Sequence, residues 1–312
     1  MELYESYREE TMECNIRNIL KTYHIPHDLF EPLNKYVRRS NMNDLEILLE
    51  LFPNKPWNWH ALSLNPNITW EFVQSHPGID WDWTYLSRNP NITWDIVKNH
   101  PDKLWNWNTL CMNPNITWDI IHNNTDVSGR GYFIYSNPNI TWDIVRNNIK
   151  RDWQWSIISV NSNITEDIVR RNPDMPWSWE GLSKNPNITW EFVQRHQDKP
   201  WNWEYLSENP NITWDIVQSN LDKPWSLSSL SQNPNITQDI IKRNLDKDWD
   251  WLSLSMSRNI TWEFVRDHPD LPWSWQGLSC NPNTTWEIVY DNIDKPWDFG
   301  YLSGNKFQRG LM

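Results

Sequence analysis

Cysteine is scarce: Cys14, Cys111 and Cys280 are the only three in 312 residues. Thiols so scattered give neither a metal cluster nor a disulfide framework, and a reducing setting fits them best. Cys111 stands in a position that is Ser in most copies of the repeat described below, so a small packed side chain is expected there. Long apolar runs are missing too, and nothing approaches the roughly 18–20 residues of a membrane span. Basic charge is in deficit, with a formal net charge of −12 and a pI near 5.1. That argues against nucleic acid as the main partner, because phosphate binding needs a basic surface. Met1 to Thr11 lacks the basic and apolar segments of a secretion signal, so the expected setting is cytosolic. No Gly-rich phosphate loop, nucleophile elbow or Cys–His pairing occurs. The expectation is a non-enzyme with no catalytic, cofactor-binding or metal-binding residue. Apolar content is also low, at 38% hydrophobic with a mean hydropathy of −0.78, values that taken alone suggest disorder.

Tryptophan overturns that suggestion. All 26 tryptophans fall on three slots of a pattern that returns every 24 residues. The first slot runs from Trp57 through Trp81 and Trp105 to Trp297, the second from Trp59 to Trp275, and the third from Trp70 to Trp286. The register never slips. A fixed period of this size is the signature of stacked repeats, and each indole can bury on the order of 150–250 Å². A thin core lined with Trp therefore needs fewer apolar residues than a globular one.

Two short helices fit inside the unit. In its second half, Thr69 and its nine equivalents through Thr285 are each followed two positions on by Asp or Glu. A Thr N-cap with a carboxylate in the first turn opens a helix, on which Trp70, Phe72, Val73 and His76 share one arc. The closing Asn or His suits a helix end, and a metal site at His76, His100, His196 and His268 is not supported. In the first half, Asp102 and its equivalents are expected to cap a helix on which Trp59, Leu62 and Ser63 share a face, with Trp57 pointing elsewhere. A strand is the rival, because Trp-x-Trp alternates with period two. Between the halves lies Asn-Pro-Asn, where Asn before Pro is pushed to extended backbone and Pro opens a tight turn. Asn recurs at the Asn67 position in all ten repeats, and its side chains are expected to stack and bond the backbone of the neighbouring repeat. Asn67-Ile68-Thr69 is formally a glycosylation sequon, but turn and capping roles account for it. Helices this short are unstable alone, so the expected fold class is all-α: an α-solenoid of helix-turn-helix repeats with a helical N-terminal cap.

Three divisions follow: a cap with a degenerate zeroth repeat over 1–52, ten repeats and a terminal half repeat over 53–304, and a tail over 305–312. With no polar cap helix after Ser303, the last half repeat is expected to leave an apolar face for a partner or a second copy, allowing end-to-end self-association. Residues 125–135 lose both Trp residues of the first helix, with Gly129 and Gly131 flanking Arg130; a looser repeat or a partner-binding kink would read the same way. Glu166 and Gln238 replace third-slot Trp and read as drift.

The Asn-Pro-Asn-Ile-Thr-Trp and Lys-Pro-Trp-Asn-Trp boxes at fixed spacing, over roughly 53–304, resemble the Trp-rich tandem-repeat proteins encoded in multiple copies by giant DNA viruses of amoebae. The resemblance implies host cytoplasm or virion, and it supplies no catalytic residue. Function is expected to be that of a protein-binding scaffold with an unidentified protein partner. Variable positions fall at the Gln74 and His60 slots, and Arg130, Tyr132, Arg146 and Arg170 are the candidate partner-binding residues. The alternatives are glycan binding by exposed indoles, with the first slot the best candidate for exposure, and a structural rod or filament of the virion.

Overall fold

In the computed structural model, which describes residues 53–124 and 131–307 together with Leu45 and Leu49, the chain is helical, with no strand among the described residues. Each repeat gives one leading and one trailing helix of four to seven residues. The leading helices are Trp59–Leu64, Trp83–Leu86, Trp107–Leu110, Gly131–Ile134, Trp155–Ile158, Trp179–Lys184, Trp203–Glu208, Leu227–Leu230, Trp251–Met256, Trp275–Cys280 and Phe299–Leu302. The trailing helices are Trp70–Ser75, Trp94–Asn99, Trp118–Asn124, Trp142–Asn147, Glu166–Arg171, Trp190–Arg195, Trp214–Ser219, Gln238–Arg243, Trp262–Asp267 and Trp286–Asp291. The expected cap over 1–52 lies outside the described residues except for Leu45 and Leu49, both helical and buried.

The trailing helices start as the sequence dictates. Thr69 Oγ1 accepts the Phe72 N–H at 3.2 Å, and the same cap recurs at every equivalent Thr through Thr285. Trp70, Phe72 and Val73 are buried while Glu71, Gln74 and Ser75 face water. At the other end, Asn148 Nδ2 donates to Ile144 O at 2.8 Å, and His196 Nδ1 lies 2.8 Å from Phe192 O. Asn and His interchange here because both can place an N–H donor against the carbonyl four residues back, with the imidazole proton on Nδ1.

The leading helices correct one expectation. Their N-cap is the residue between the two tryptophans, four positions after the Asp102 slot. Asn58 Oδ1 accepts from Ala61 N, Asp82 Oδ1 from Thr84 N and Tyr85 N, and Ser178 Oγ from Gly181 N. Asp102 instead pairs with its neighbour Lys103 at 3.0 Å in the preceding turn. The reason is backbone geometry: Asn58 is extended (φ −90°, ψ 100°), so the helix begins only at the second Trp. Trp-x-Trp alternates because it straddles an extended capping residue, without forming a strand.

The leading helix ends in an extended residue. Asn65, before Pro66, takes φ −65°, ψ 127°, a conformation that Pro favours and that Ser257 before Arg258 shares, and its Oδ1 accepts the Asn67 N–H at 2.9 Å. The amide then reaches into the previous repeat. Asn89 Nδ2 donates to the carbonyls of Ser63 and Asn65, both at 2.9 Å, and Asn91 Nδ2 to those of Pro66 and Ile68 at 2.6 and 2.9 Å. Both bonds recur along the array, for example at Asn233 and Asn235. The stacking expected of the Asn67 slot is therefore present, joined by a second, more deeply buried column at the Asn65 slot. A third column is the buried Ser: Ser63 Oγ donates to Trp59 O at 2.7 Å and accepts the Asp82 N–H of the next repeat at 3.0 Å.

All three columns also run from the last repeat to the first. Ser303 Oγ accepts the Asn58 N–H at 2.9 Å. Asn65 Nδ2 donates to Ser303 O and Asn305 O, both at 2.8 Å, and Asn67 Nδ2 donates to Lys306 O. The Trp57 and Phe299 rings meet edge-on at 5.3 Å. The face expected to be left uncovered at the C-terminal half repeat is thus occupied by residues 57–67 of the same chain. The boundary at 305 moves accordingly, because Asn305 belongs to the Asn column, donating back to Ser279 O and Asn281 O.

Replacing Asn233 by Ala strips the amide from three buried carbonyls, those of Ser207, Asn209 and Ile212. Unfolding in urea should show a loss of about 2 kcal/mol or more. Asn233→Asp, which keeps the turn-forming oxygen and loses the donors, should cost as much; a loss below about 0.5 kcal/mol in both would remove the column from the account. Asn65→Ala should accelerate amide exchange at 303–307 and leave exchange around Asn233 unchanged.

Candidate interaction surface

The indoles are the framework on which any surface is built. First-slot residues Trp57, Trp81, Trp153, Trp177, Trp201, Trp249 and Trp297 are buried, and the other described first-slot indoles are half-buried. The slot that is the best candidate for exposure under the glycan-binding alternative is thus the most deeply buried. The first-slot Trp lies in extended backbone just before the leading helix, so its ring turns back under the trailing helix. There its Nε1–H donates to the carbonyl of that helix's last-turn Asn or His, as in Trp201 to His196 O at 2.8 Å. The second-slot indole of one repeat meets the first-slot indole of the next edge-on, as in Trp179–Trp201 at 5.0 Å and 83°. Third-slot indoles tilt against the first-slot ring 35 positions ahead, as in Trp190–Trp225 at 5.5 Å. Edge-to-face pairs align the positive edge of one ring with the negative face of the other. Among the described side chains no indole is in the exposed class.

The irregular repeat is repaired from within. Gly131 removes the second-slot indole that would face Trp153, and Tyr135, one helical turn later, lies 5.4 Å from Trp153 in its place. Tyr135 occupies a Ser-column position, and its hydroxyl bonds forward to Asp152 O as the Ser side chains bond forward elsewhere. One ring substitutes for two side chains. Glu166 and Gln238 are corrected from drift to forward contacts: Glu166 Oε1 accepts the Thr189 N–H at 2.6 Å, and Gln238 Nε2 donates to Asn259 O at 2.7 Å. Each places a polar group on the next repeat where an indole would have packed.

Two outward faces remain, and they differ in chemistry. The trailing helices present charge. Arg146 pairs with Asp143 at 3.1 Å and Arg170 with Asp167 at 2.7 Å, each on its own helix and well exposed. The leading helices present the His60 slot, exposed or half-exposed at every described copy, with few charges and several large apolar groups. Tyr85, Phe133, Leu252, Met256 and Tyr301, all on or beside that slot, are each 38–43% exposed. Tyr132 belongs to the leading helix Gly131–Ile134, with only its backbone described, and Arg130 lies outside the described residues. Of the four candidate residues, then, Arg146 and Arg170 share the trailing face, Tyr132 belongs to the leading layer, and no contact brings them into one site. The signal that sequence reasoning missed is the contrast between the two variable slots: Arg, Lys and Gln dominate at Gln74, while Tyr, Leu, Ser and Glu occur at His60 and beside it.

The leading helices also lie closer together. Successive pairs such as Trp179–Lys184 with Trp203–Glu208 approach within 8 Å between Cα atoms at several points, whereas no pair of trailing helices does so to that extent. Gly181 and Gly277 sit at close approaches: a Cβ added there would stand 2.6 Å from Ser156 O or 2.7 Å from Leu252 O.

Reactive chemistry is sparse. Burial, helped by the Asp298 carboxylate, pushes the Cys280 thiol up to about 11, so it is protonated at neutral pH and a weak nucleophile. Among the described residues no group of three His, Cys, Asp or Glu is placed to hold a metal ion, and no helix is long and apolar enough to cross a membrane. The chain matches no family model, no curated protein and no solved structure.

Tyr135→Phe should lose about 1 kcal/mol with its hydroxyl bond, and Tyr135→Ala about 3–5 kcal/mol with its ring. Equal effects would mean that the ring does not fill the missing indole's place. Because the indoles are covered, emission should be blue-shifted and iodide should quench it weakly.

Proposed function

We propose that the repeats form a closed α-solenoid, a ring of eleven leading helices with the trailing helices outside them, acting as a non-enzymatic scaffold for protein–protein interaction. The observation that carries the closure is the set of bonds from Asn58, Asn65 and Asn67 to Ser303, Asn305 and Lys306, which copies the bonds between successive repeats. Regular spacing supports the scaffold role. The columns of Asn, Ser and Trp hold the frame constant, which frees the exposed slots to vary without cost to folding. Burial of most first-slot indoles, with the other described indoles at most half-exposed, favours a core role over a sugar-stacking platform, and the bonds at the C-terminal end disfavour an open rod.

The resemblance to Trp-rich repeat proteins of giant amoebal viruses supports a partner in the host cytoplasm or the virion. Small-angle scattering tests the shape. At ~8–10 Å between neighbouring helices, an open array of this length reaches about 90–110 Å, whereas the closed array stays near 60–70 Å in its largest dimension. Capture from infected amoeba lysate with the intact chain tests the role. Specific protein partners in the eluate support a scaffold, and recovery of nothing but the chain itself would overturn it.

A further inference from the structure

In a closed two-layer array the layer with the shorter neighbour spacing must be the inner one, because circumference grows with radius. The close approach of the leading helices, seen at Gly181 and Gly277, puts their exposed slots on the wall of a central channel. Eleven helices spaced ~8–10 Å apart place their axes roughly 14–18 Å from the centre. Subtracting half a helix diameter of about 5–6 Å leaves a channel roughly 17–24 Å wide. One helix, 10–12 Å across, passes through such an opening.

The wall is not uniform around the circle. An apolar, aromatic arc spans the seam where the two ends of the array meet, carrying Leu252 and Met256 on one side, Tyr301 beside the seam, and Tyr85 and Phe133 beyond it. Its formal charges are Arg88 and the N-cap carboxylates Asp82, Asp250 and Asp298, of which Asp82 pairs with His60. The opposite side, half a turn away, is acidic: Glu180, Glu204 and Glu208 outnumber Lys184, whose ammonium sits 3.6 Å over the Tyr205 ring. Aromatic residues and Met with little charge are the composition of interface cores, and exposed apolar groups gathered on one face mark a binding surface.

We infer that the channel receives one amphipathic α-helix of a protein partner, its apolar face on the Leu252–Tyr301–Tyr85 arc and its basic face toward Glu180, Glu204 and Glu208. This rests on the scaffold reading and on closure of the array. Charge complementarity chooses a basic helix over an acidic one; outside the wall the trailing helices are ion-paired, and the exposed apolar groups there, such as Leu104, Leu221 and Leu245, lie in the segments that follow them. Because the array is closed, the helix enters by an end.

The probes are two fluorescein-labelled 20-residue helical peptides, both with Leu and Met on one face, one with Lys and the other with Glu on the opposite face. Anisotropy with the full chain should show the Lys peptide binding at least tenfold more tightly. Glu204→Lys with Glu208→Lys should invert that preference, and Leu252→Asp with Met256→Asp should weaken binding at least tenfold. Leu221→Asp with Leu245→Asp, in exposed turns outside the wall, should change nothing. A Lys peptide carrying streptavidin at both ends should fail to bind. Each variant is first required to keep the parent's Trp emission maximum. Absence of binding, insensitivity to the wall substitutions, or binding by the doubly blocked peptide would overturn the inference. Loss of binding confined to the Leu221 and Leu245 pair would move the interaction to the turns, leaving the scaffold reading intact while the channel reading falls.

Discussion

The bond on which the rest depends is the donation from the Asn before Pro to the main chain of the preceding repeat. One side chain meets three demands. Asn65 leaves the helical region and ends the leading helix, a break that Pro66 favours. Its Oδ1 then closes the turn on Asn67 N, and its Nδ2 satisfies carbonyls left open where the previous leading helix ends. Asp would close the turn but has no donor, and Ser has only one, so Asn is the residue that fits. Helix termination and repeat stacking become a single event. With about 1 kcal/mol net for each such bond, the column amounts to much of the 5–15 kcal/mol that stabilises a typical domain.

Tryptophan supplies bulk where helices of four to six residues cannot supply area. An indole in extended backbone reaches under the trailing helix that precedes it and hydrogen-bonds its last carbonyl, so packing and C-terminal capping are again one contact. The tolerance at 131–135 has a related origin: Tyr135 sets a ring against Trp153 where the second-slot indole is missing and donates forward to Asp152 O from a Ser-column position. Glu166 and Gln238 succeed in a polar version of the same trade, reaching the next repeat's main chain directly.

Much of this frame is legible in the amino-acid sequence because the causes are local. The Thr caps, the amphipathic trailing helix, the Pro-favoured break and the stacking at the Asn67 slot depend on residues within a few positions of one another. The leading-helix cap is less legible, because two capping residue types occur four residues apart in each unit and only the backbone shows which one is extended. The direction of the first-slot indoles is hidden for the same reason: a helical wheel does not apply to a residue that lies before the helix. Closure is least legible, since it depends on curvature accumulated over the whole array. Phe299 in a Trp slot and Asn305 after Ser303 are visible as continuations of the pattern, yet nothing in either says that its partner lies some 240 residues earlier.

Closure also accounts for a stability that an open array of such units would lack. In a chain of nearest-neighbour contacts the end units have one neighbour each, and they fray first. Joining the ends gives every leading helix two neighbours. The entropic cost of closing a loop of this length is about 5 kcal/mol for a flexible chain. It would fall well below that if each unit turned by roughly 33°, the angle that eleven equal steps of the proposed ring require. Against it stand three amide bonds, the Ser303–Asn58 bond and the Trp57–Phe299 ring contact. On the proposed closed reading a partner covers the outside freely but reaches the channel wall only with a free end, so the array would select partners by topology before it selects them by side chain.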